Sequence, residues 1–232
     1  MSESLVRYEP RGDVALLTLD DGKANAISHA LIADLGAALD RAEREAKAVV
    51  LAGRPGRFSA GFDLRVMGSG PDAARALVAA GGELLLRLYL HPQPLVVACT
   101  GHALAAGALL VIVGDTRIGV AGAFKIGLNE VSNGMPVPIV VHELAHDRLD
   151  AREVFPAVVQ AKLYDPEAAA AAGWLDRVVA PEALEAEALA EATRLAALPA
   201  HAYAFSKRSL RGRSVAYMRE TMDANLREIL GG

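Results

Sequence analysis

The feature that most constrains the fold of this chain is a pair of turns built from small residues, each set between an apolar strand and a helix. The first reads FSAGFDL at residues 58–64, and the second reads GHALAAG at residues 101–107. Before them, strand-like segments at Val14–Leu19 and Ala48–Leu51 enclose an amphipathic helix at Ile32–Glu45. Parallel strands need such a crossover, whereas antiparallel strands do not. The pattern therefore predicts an α/β fold with a parallel or mixed sheet.

The alternation of strands and helices continues through the middle of the chain. Apolar periodicity and turn residues predict a helix at Pro71–Leu90, a strand at Leu95–Thr100, a helix beginning at Ala106–Val113 and a strand at Thr116–Val120. The segment His91-Pro92-Gln93-Pro94 breaks the chain before the third strand, because a residue preceding proline avoids helical angles.

The composition changes after Pro181 and becomes strongly helix-forming. The run EALEAEALAEATRLAAL predicts one helix, and two further helical stretches follow at Phe205–Leu210 and Val215–Leu230. No strand is predicted in this part. We therefore divide the chain into a core of residues 1–180 and a C-terminal helical region of residues 181–232.

The composition also narrows the class of function. Hydrophobic residues make up 53% of the chain and the formal net charge is −4, which argues against general nucleic-acid binding. Cys99 is the only cysteine, so no intramolecular disulfide can form, and its place in LVVACT predicts a buried strand residue rather than a nucleophile. The N-terminus has no pattern of a secretory signal, and we expect a cytoplasmic protein.

One uncharged segment, Pro94–Gly114, is long enough to cross a bilayer. It is interrupted by Gly101-His102 and contains the β-branched strand pattern LVVACT, and it lacks basic or aromatic flanks. A buried strand, a turn and a buried helix account for the same residues. We therefore expect no membrane association.

The two turns also indicate chemistry. Small side chains let the backbone approach a ligand closely and leave amide hydrogens available as donors. Two such turns facing one another would direct two backbone donors at a single oxygen atom. That arrangement is an oxyanion hole, which stabilises reactions that pass through an enolate.

At these residues the chain resembles the enoyl-CoA hydratase/isomerase (crotonase) superfamily. The segments FSAGFDL, GHALAAG and LLVIVGDTRIGV are similar to its three main motifs, and the likeness extends from VALLTLDD through NAIS to WLDRVVAP and FSKRSL. The resemblance implies a spiral of ββα units followed by C-terminal helices. It also implies an acyl-CoA thioester substrate, coenzyme A as part of that substrate with no separate cofactor, and a homotrimer or hexamer. The alternative for the C-terminal helices is that they cap the chain's own core.

The resemblance assigns the oxyanion donors to the amides of Ala60 and Ala106, although Ala105 and Ala106 stand where glycines are common. Hydratases of this superfamily use two glutamates. The position of the first is Leu109 here, which cannot ionise, and the second corresponds to Glu130. The phrase IGLNE around Glu130 resembles mitochondrial-type Δ3,Δ2-enoyl-CoA isomerases, whose single catalytic base is this glutamate.

The implied reaction moves the double bond of a 3-enoyl-CoA to give 2-trans-enoyl-CoA. Glu130 would act as the only base, and Asn129 is a candidate to orient it. Asp63 and Asp115 are expected to accept hydrogen bonds from nearby backbone amides. The resemblance places Lys207 and Arg208 near the phosphates of CoA. It predicts that the substrate is bound by Lys23, Ala24, Ala26, Ala60, Gly61, Phe62, Asp63, Leu64, Ala105, Ala106, Leu109 and Lys207.

Three alternatives remain open at this point. The first is hydration, or another acyl-CoA lyase reaction on the same scaffold. The second is an acyl-CoA-binding protein without catalysis, in which Glu130 is an ordinary solvated carboxylate. The third is a zinc peptidase, because His142-Glu143-Leu144-Ala145-His146 is a complete H-E-x-x-H motif. That motif needs a third protein ligand. Leu149 stands where one such family has glycine, and Glu167 lacks the expected helical context. We therefore predict no metal site.

Overall fold

A computed structural model describes residues 4–231 as two sheets surrounded by helices. The strands are β1 (Val6–Arg11), β2 (Val14–Leu19), β3 (Ala48–Ala52), β4 (Gly56–Ser59), β5 (Leu95–Cys99), β6 (Gly101–Leu104), β7 (Thr116–Val120), β8 (Ile126–Gly127) and β9 (Arg177–Val179). The helices are α1 (His29–Glu45), α2 (Leu64–Met67), α3 (Pro71–Tyr89), α4 (Ala106–Ile112), α5 (Ile139–Arg148), α6 (Val154–Val158), α7 (Pro166–Ala172), α8 (Leu184–Ala196) and α9 (Ala200–Leu230).

Successive strands are shared between a large sheet and a small one. The large sheet has the order β1-β2-β3-β5-β7-β9 and is parallel except for the antiparallel pair β1-β2. The small sheet, β4-β6-β8, is parallel throughout. In each of the consecutive pairs β3-β4, β5-β6 and β7-β8, the first strand therefore belongs to the large sheet and the second to the small one. The predicted α/β class and spiral of ββα units are confirmed.

The small sheet corrects the sequence-based description of the two turns. Residues Gly101–Leu104, predicted as part of a turn, form β6, and Phe58 and Ser59 end β4. These strands are short and rich in small residues, so they carry little of the β-branched pattern that marks strands in a sequence.

Both faces of the large sheet are buried because helices cover each of them. Leu17, Val49 and Leu51 face one hydrophobic cluster, whereas the alternate residues Leu16 and Val50 face a second cluster. Side chains of successive strand residues point to opposite faces, which explains why these strands are apolar without interruption. The second cluster is closed by α8.

The uncharged segment at residues 94–114 is β5, β6 and α4, and all three elements lie in the interior. Cys99 ends β5 with 1% of its surface exposed, as predicted, and burial raises the pKa of its thiol to about 12. Throughout residues 4–231, every helix is too short or too polar to cross a membrane.

The helical stretches predicted after Pro199 form one helix, α9, so the prediction of a break between them is wrong. Gly212 lies in the middle of α9, and a side chain at this position would contact no neighbouring part of the structure. A helical glycine costs only about 0.5–1 kcal/mol relative to alanine. The buried residues Val215, Met218, Met222 and Leu226 offset that cost by packing against the core.

The C-terminal helices pack on their own chain. α8 lies on β3, β5 and β7, and α9 lies against α3 and α5. The alternative that these helices cap the chain's own core is therefore correct for the described residues. The division at residues 180 and 181 and a role of the helices between subunits stay predictions.

A buried ionic cluster anchors the first half of α9. The Asp115 carboxylate accepts hydrogen bonds from the Leu95 amide, the Tyr203 hydroxyl and the Arg211 guanidinium, each at 2.8 Å, and it pairs with the Lys207 ammonium. The side chains of Asp115, Lys207 and Arg211 are 6–8% exposed. The expectation that Asp115 accepts from a backbone amide is confirmed, and the same carboxylate also fixes α9 to the sheet.

Candidate active site

A mostly apolar cavity of about 430 Å³ opens where the two small-residue turns meet. Its floor is formed by the turns and the start of α4, and its far wall by α3, α5 and the last turns of α9. Six of the predicted substrate-binding residues and the predicted base line this cavity. They are Ala60, Phe62, Leu64, Ala105, Ala106, Leu109 and Glu130.

The two turns touch because glycine allows their backbones to approach. Gly61 has φ +90°, and a side chain on it would lie 2.9 Å from the Ala105 methyl and 3.3 Å from the Ala106 amide nitrogen. A side chain on Gly107 would lie 2.2 Å from the Ser59 carbonyl oxygen. Real side chains cannot occupy either position, so both glycines are needed for contact between the turns.

Ala105 begins the second turn with φ 53° and ψ −131°, a conformation that residues other than glycine rarely adopt. Glycine would adopt these backbone angles without strain. The Ala105 amide donates to the Gly127 carbonyl oxygen at 3.0 Å, which joins the turn to β8. The strain thus lies next to the amide predicted to act on substrate, as is frequent at functional sites.

The first turn corrects the assignment of its donor. The Ala60 amide donates to the Ala24 carbonyl oxygen at 3.0 Å, so it is not available to a ligand. The Ile27 amide donates to the Gly61 carbonyl oxygen at 2.8 Å, and the Asp63 amide donates to the Ile27 carbonyl oxygen at 3.0 Å. These two hydrogen bonds lie on the same side of the turn as the Ala60 amide. Amides alternate in direction along an extended segment, and the Phe62 amide therefore points to the opposite side.

Phe62, not Ala60, is consequently the candidate donor of the first turn. Within residues 4–231 its amide has no hydrogen-bond acceptor, and the same holds for the Ala106 amide at the start of α4. The contact of Gly61 with Ala105 and Ala106 brings these two segments together. The amides of Phe62 and Ala106 are therefore the candidate pair for the predicted oxyanion hole.

Asn25, which sequence analysis did not single out, holds the first turn in this position. It is fully buried, and its side-chain amide donates to the carbonyl oxygens of Leu19, Arg57 and Phe58 at 2.9, 3.2 and 3.0 Å. Its own positive φ of 52° lets the chain turn sharply beside Ala24. The sequence signal that could have identified Asn25 was its position at the start of the family-like segment NAIS.

Glu130 reaches the cavity from the loop that follows β8. Its carboxylate accepts a hydrogen bond from the Asn129 amide at 2.9 Å, so Asn129 positions the base through its backbone. Burial raises the pKa of Glu130 above its ordinary value, and this hydrogen bond opposes the effect only in part. A raised pKa suits a general base better than a carboxylate with the usual low value.

Leu109, which the resemblance places at the position of the first hydratase glutamate, lines the cavity with 4% of its surface exposed. Asp63 has a structural role, since its carboxylate caps α2 by accepting from the Arg65 amide at 2.9 Å. The Arg65 guanidinium holds the pKa of Asp63 below its ordinary value. The expectation for Asp63 is confirmed.

Two further hollows lie along β4. The first has about 220 Å³ and includes Ala24, Arg57 and His102, and the second has about 430 Å³ and includes Lys23, Ala24, Arg54 and Arg57. The hollows share Ala24 and Arg57, and the first shares Ala60 with the apolar cavity. These adjoining hollows form a candidate path toward the apolar cavity, and basic residues surround the second of them.

Lys23 and Ala24 lie on this path and their contact with substrate stays a prediction, whereas Ala26 does not line it. The Ala26 amide instead donates to Asp21 at 3.0 Å and shapes the loop. Sequence analysis missed Arg54 and Arg57, although the segment GRPGRF beside the first turn carries both basic residues.

The prediction that Lys207 contacts the substrate is wrong for the described chain. Its ammonium donates to the carbonyl oxygens of His91 and Gln93 at 2.8 and 2.9 Å and to Asp115, so its three donors are all used. Arg208, its neighbour, is exposed, and its contact with CoA stays a prediction.

The H-E-x-x-H motif forms part of α5, with His142 and His146 one turn apart. Among the residues described, no set of three His, Cys, Asp or Glu side chains is placed to hold a metal ion, and Glu167 on α7 does not complete the motif. The cavity is lined by Pro138–Val141 at the beginning of α5 and not by the motif. Its geometry therefore offers no support for a zinc peptidase.

Comparisons with known proteins identify the family to which this chain belongs. The human mitochondrial enoyl-CoA delta isomerase 1 is 28% identical over 97% of this chain and 76% of its own length, and a probable enoyl-CoA hydratase of Rhizobium meliloti is 31% identical over 86% and 79%. The crystal structure of an enoyl-CoA hydratase/isomerase family protein from Pseudomonas syringae has a TM-score of 0.95 and 44% identity, covering 97% of this chain and 98% of the other. The sequence model of the family "Enoyl-CoA hydratase/isomerase" matches residues 9–228. The chain is therefore an enzyme of the enoyl-CoA hydratase/isomerase family, the crotonase superfamily, with similarity to its isomerases.

Proposed function

We propose that this protein shifts the double bond of 3-enoyl-CoA thioesters to give 2-trans-enoyl-CoA, with Glu130 as the single catalytic base. One observation carries the proposal: among the described residues that line the cavity, Glu130 alone has a carboxyl group. Leu109, which stands at the position of the first hydratase glutamate by resemblance, adds no second carboxylate to the cavity. The similarity to the human delta isomerase agrees with this choice.

In the proposed reaction the thioester oxygen accepts hydrogen bonds from the amides of Phe62 and Ala106. Glu130 removes a proton from C2, and the electrons of that C–H bond form a dienolate whose negative charge lies on the thioester oxygen. The protonated Glu130 then delivers the proton to C4. The double bond moves from C3–C4 to C2–C3, and Glu130 returns to its carboxylate form. Each oxyanion donor of this type is worth about 3–4 kcal/mol of barrier.

The CoA portion would follow the two hollows outward from Ala60. Lys23, Arg54 and Arg57 surround the outer hollow and are suited to bind phosphate groups, because their cationic side chains pair with anionic oxygens. A homotrimer or hexamer and a cytoplasmic location are also part of the proposal. Exposed apolar residues on α6 and α9, such as Phe155 and Phe205, are available for contacts between subunits. Sedimentation equilibrium would measure the oligomeric state.

The decisive experiment compares two substrates on the unmodified protein. We expect isomerisation of 3-hexenoyl-CoA and little or no hydration of crotonyl-CoA, because no second carboxylate lines the described cavity to hold and activate water while Glu130 acts on the substrate carbon. The absorbance of the conjugated thioester reports both reactions. Efficient hydration of crotonyl-CoA would contradict the assignment and indicate that another carboxylate acts there.

The same comparison on Leu109→Glu tests the position of the missing carboxylate. We expect measurable hydration by this variant, with a lower melting temperature because a charged group is placed in an apolar wall. Leu109→Gln, similar in size but without a basic carboxylate, is the matched control and should show no gain in hydration.

A further inference from the structure

Two adjacent glycines, Gly81 and Gly82, lie in the middle of α3, where glycine destabilises a helix by about 0.5–1 kcal/mol relative to alanine. Both residues are buried, and Gly82 lines the apolar cavity. Neither has an unusual positive φ. Their presence therefore reflects the space that a side chain would take and not the backbone angles.

Gly82 faces Met222 on α9. A methyl group on Gly82 would lie 2.7 Å from the Met222 sulfur, and both residues line the cavity. Such a contact is too short for the atoms to remain in place, so one of them must move. The methionine side chain has three rotatable bonds and moves more easily than the helix that carries it.

The helix α9 is held on both sides of Met222, which limits where that side chain can go. The Asp115 cluster fixes the first half of the helix. Beyond Met222, the Asn225 side-chain oxygen Oδ1 accepts a hydrogen bond from the Ile139 amide at 2.8 Å and joins α9 to the start of α5. A displaced Met222 side chain would therefore turn into the open cavity.

Gly81 has a different neighbour. A methyl group on Gly81 would lie 2.3 Å from the Phe62 ring. Phe62 also carries the amide proposed to bind the thioester oxygen. The two glycines thus contact different parts of the site, Gly81 the Phe62 ring and Gly82 the Met222 side chain on α9.

We propose that Gly82 and Met222 together set the length of hydrocarbon acyl chain that the cavity accepts, and that the open space beside them makes long, unbranched acyl groups the preferred class. This inference rests on the proposed function for the nature of the substrate. The wall here is apolar, with Val78, Leu85 and Leu226 beside the pair. It is suited to methylene groups rather than to polar substituents.

The test is the chain-length profile of Gly82→Ala. We expect kcat/KM for 3-dodecenoyl-CoA to fall about tenfold or more relative to that for 3-hexenoyl-CoA, since one methylene group in an apolar pocket is worth about 10- to 200-fold in specificity. Met222→Ala should shift the ratio toward the longer chain. In the double variant Gly82→Ala/Met222→Ala the wild-type ratio should return within about threefold, which loss of structure alone would not produce.

Two other alanine variants serve as controls. Gly36→Ala adds the same methyl group inside α1, where the nearest atom is an Arg87 nitrogen at 3.8 Å, and should leave the profile unchanged. Gly81→Ala should lower kcat/KM for both chain lengths alike, because it displaces Phe62. An equal loss at both lengths in Gly82→Ala, or no loss, would overturn the proposal.

Binding of saturated thioesters separates this inference from the proposed reaction. Hexanoyl-CoA and dodecanoyl-CoA undergo no isomerisation, and their Kd values can be measured by calorimetry on every variant. If the wild-type protein fails to isomerise 3-enoyl-CoA, the proposed function is wrong, whereas a selective loss of dodecanoyl-CoA affinity in Gly82→Ala still supports the length-setting pair. An unchanged ratio of the two Kd values would count against it in either case.

Discussion

Replacing Glu130 with glutamine should lower kcat for isomerisation of 3-enoyl-CoA at least about a hundredfold, and by as much as about ten-thousandfold. Glutamine keeps the size and the hydrogen bond from the Asn129 amide but cannot accept the C2 proton. The Kd for a saturated acyl-CoA should change little, because the amides of Phe62 and Ala106 and the apolar wall remain. Stopped-flow or steady-state absorbance measures the first quantity and calorimetry the second.

Glu143→Gln is the matched control, since Glu143 belongs to the H-E-x-x-H motif on α5 and does not line the cavity. Its turnover should equal that of the wild type. If Glu143→Gln loses activity and Glu130→Gln retains it, the assignment of the base is wrong.

The raised pKa of Glu130 leads to two predictions, one for the pH dependence of turnover and one for stability. Turnover should fall with decreasing pH at a value above the ordinary glutamate pKa of about 4.3, because only the carboxylate accepts the proton. A carboxyl group whose pKa is higher in the folded state also destabilises that state when pH exceeds the unfolded pKa. Glu130→Gln should therefore melt at the same temperature as the wild type or higher at neutral pH. A marked decrease would show that the glutamate stabilises the loop instead.

Asp115→Ala should lower the free energy of unfolding by about 3–5 kcal/mol, because it leaves Lys207 and Arg211 as buried cations without a counter-charge. The variant also removes the acceptor for the Leu95 amide and the Tyr203 hydroxyl. Denaturant unfolding followed by circular dichroism gives this quantity. Since the cluster holds α9, hydrogen exchange should rise along that helix more than in α1.

Asp223→Ala is the control for this measurement. Its pairing with Arg227 at 2.7 Å lies on the exposed side of the same helix, where such pairs contribute about 0–1 kcal/mol. A loss for Asp115→Ala no greater than for Asp223→Ala would contradict the role of the buried cluster.

Local sequence determined the fold class and, through the family resemblance, singled out Glu130 as the candidate base. The alternation of apolar strands with amphipathic helices requires crossovers and hence a mainly parallel sheet, and this depends only on residues near one another in the chain. The turns were recognisable because small residues are needed where two backbones meet. Leu109 and Glu130 could be matched in the sequence to the positions of the two hydratase glutamates, and the structure places both residues at the same cavity.

Only the tertiary structure decided which atoms are available at the site. The Ala60 amide is occupied by a carbonyl 36 residues earlier in the chain, at Ala24, so the candidate donor is Phe62. The Lys207 ammonium is paired with the Asp115 carboxylate, 92 residues away in the chain, and is not available to bind the substrate. Gly82 acquires its role from Met222 on a distant helix. Hydrogen-bond partners and contacts of this kind are set by how the elements pack together, and a local pattern of residue types does not contain them.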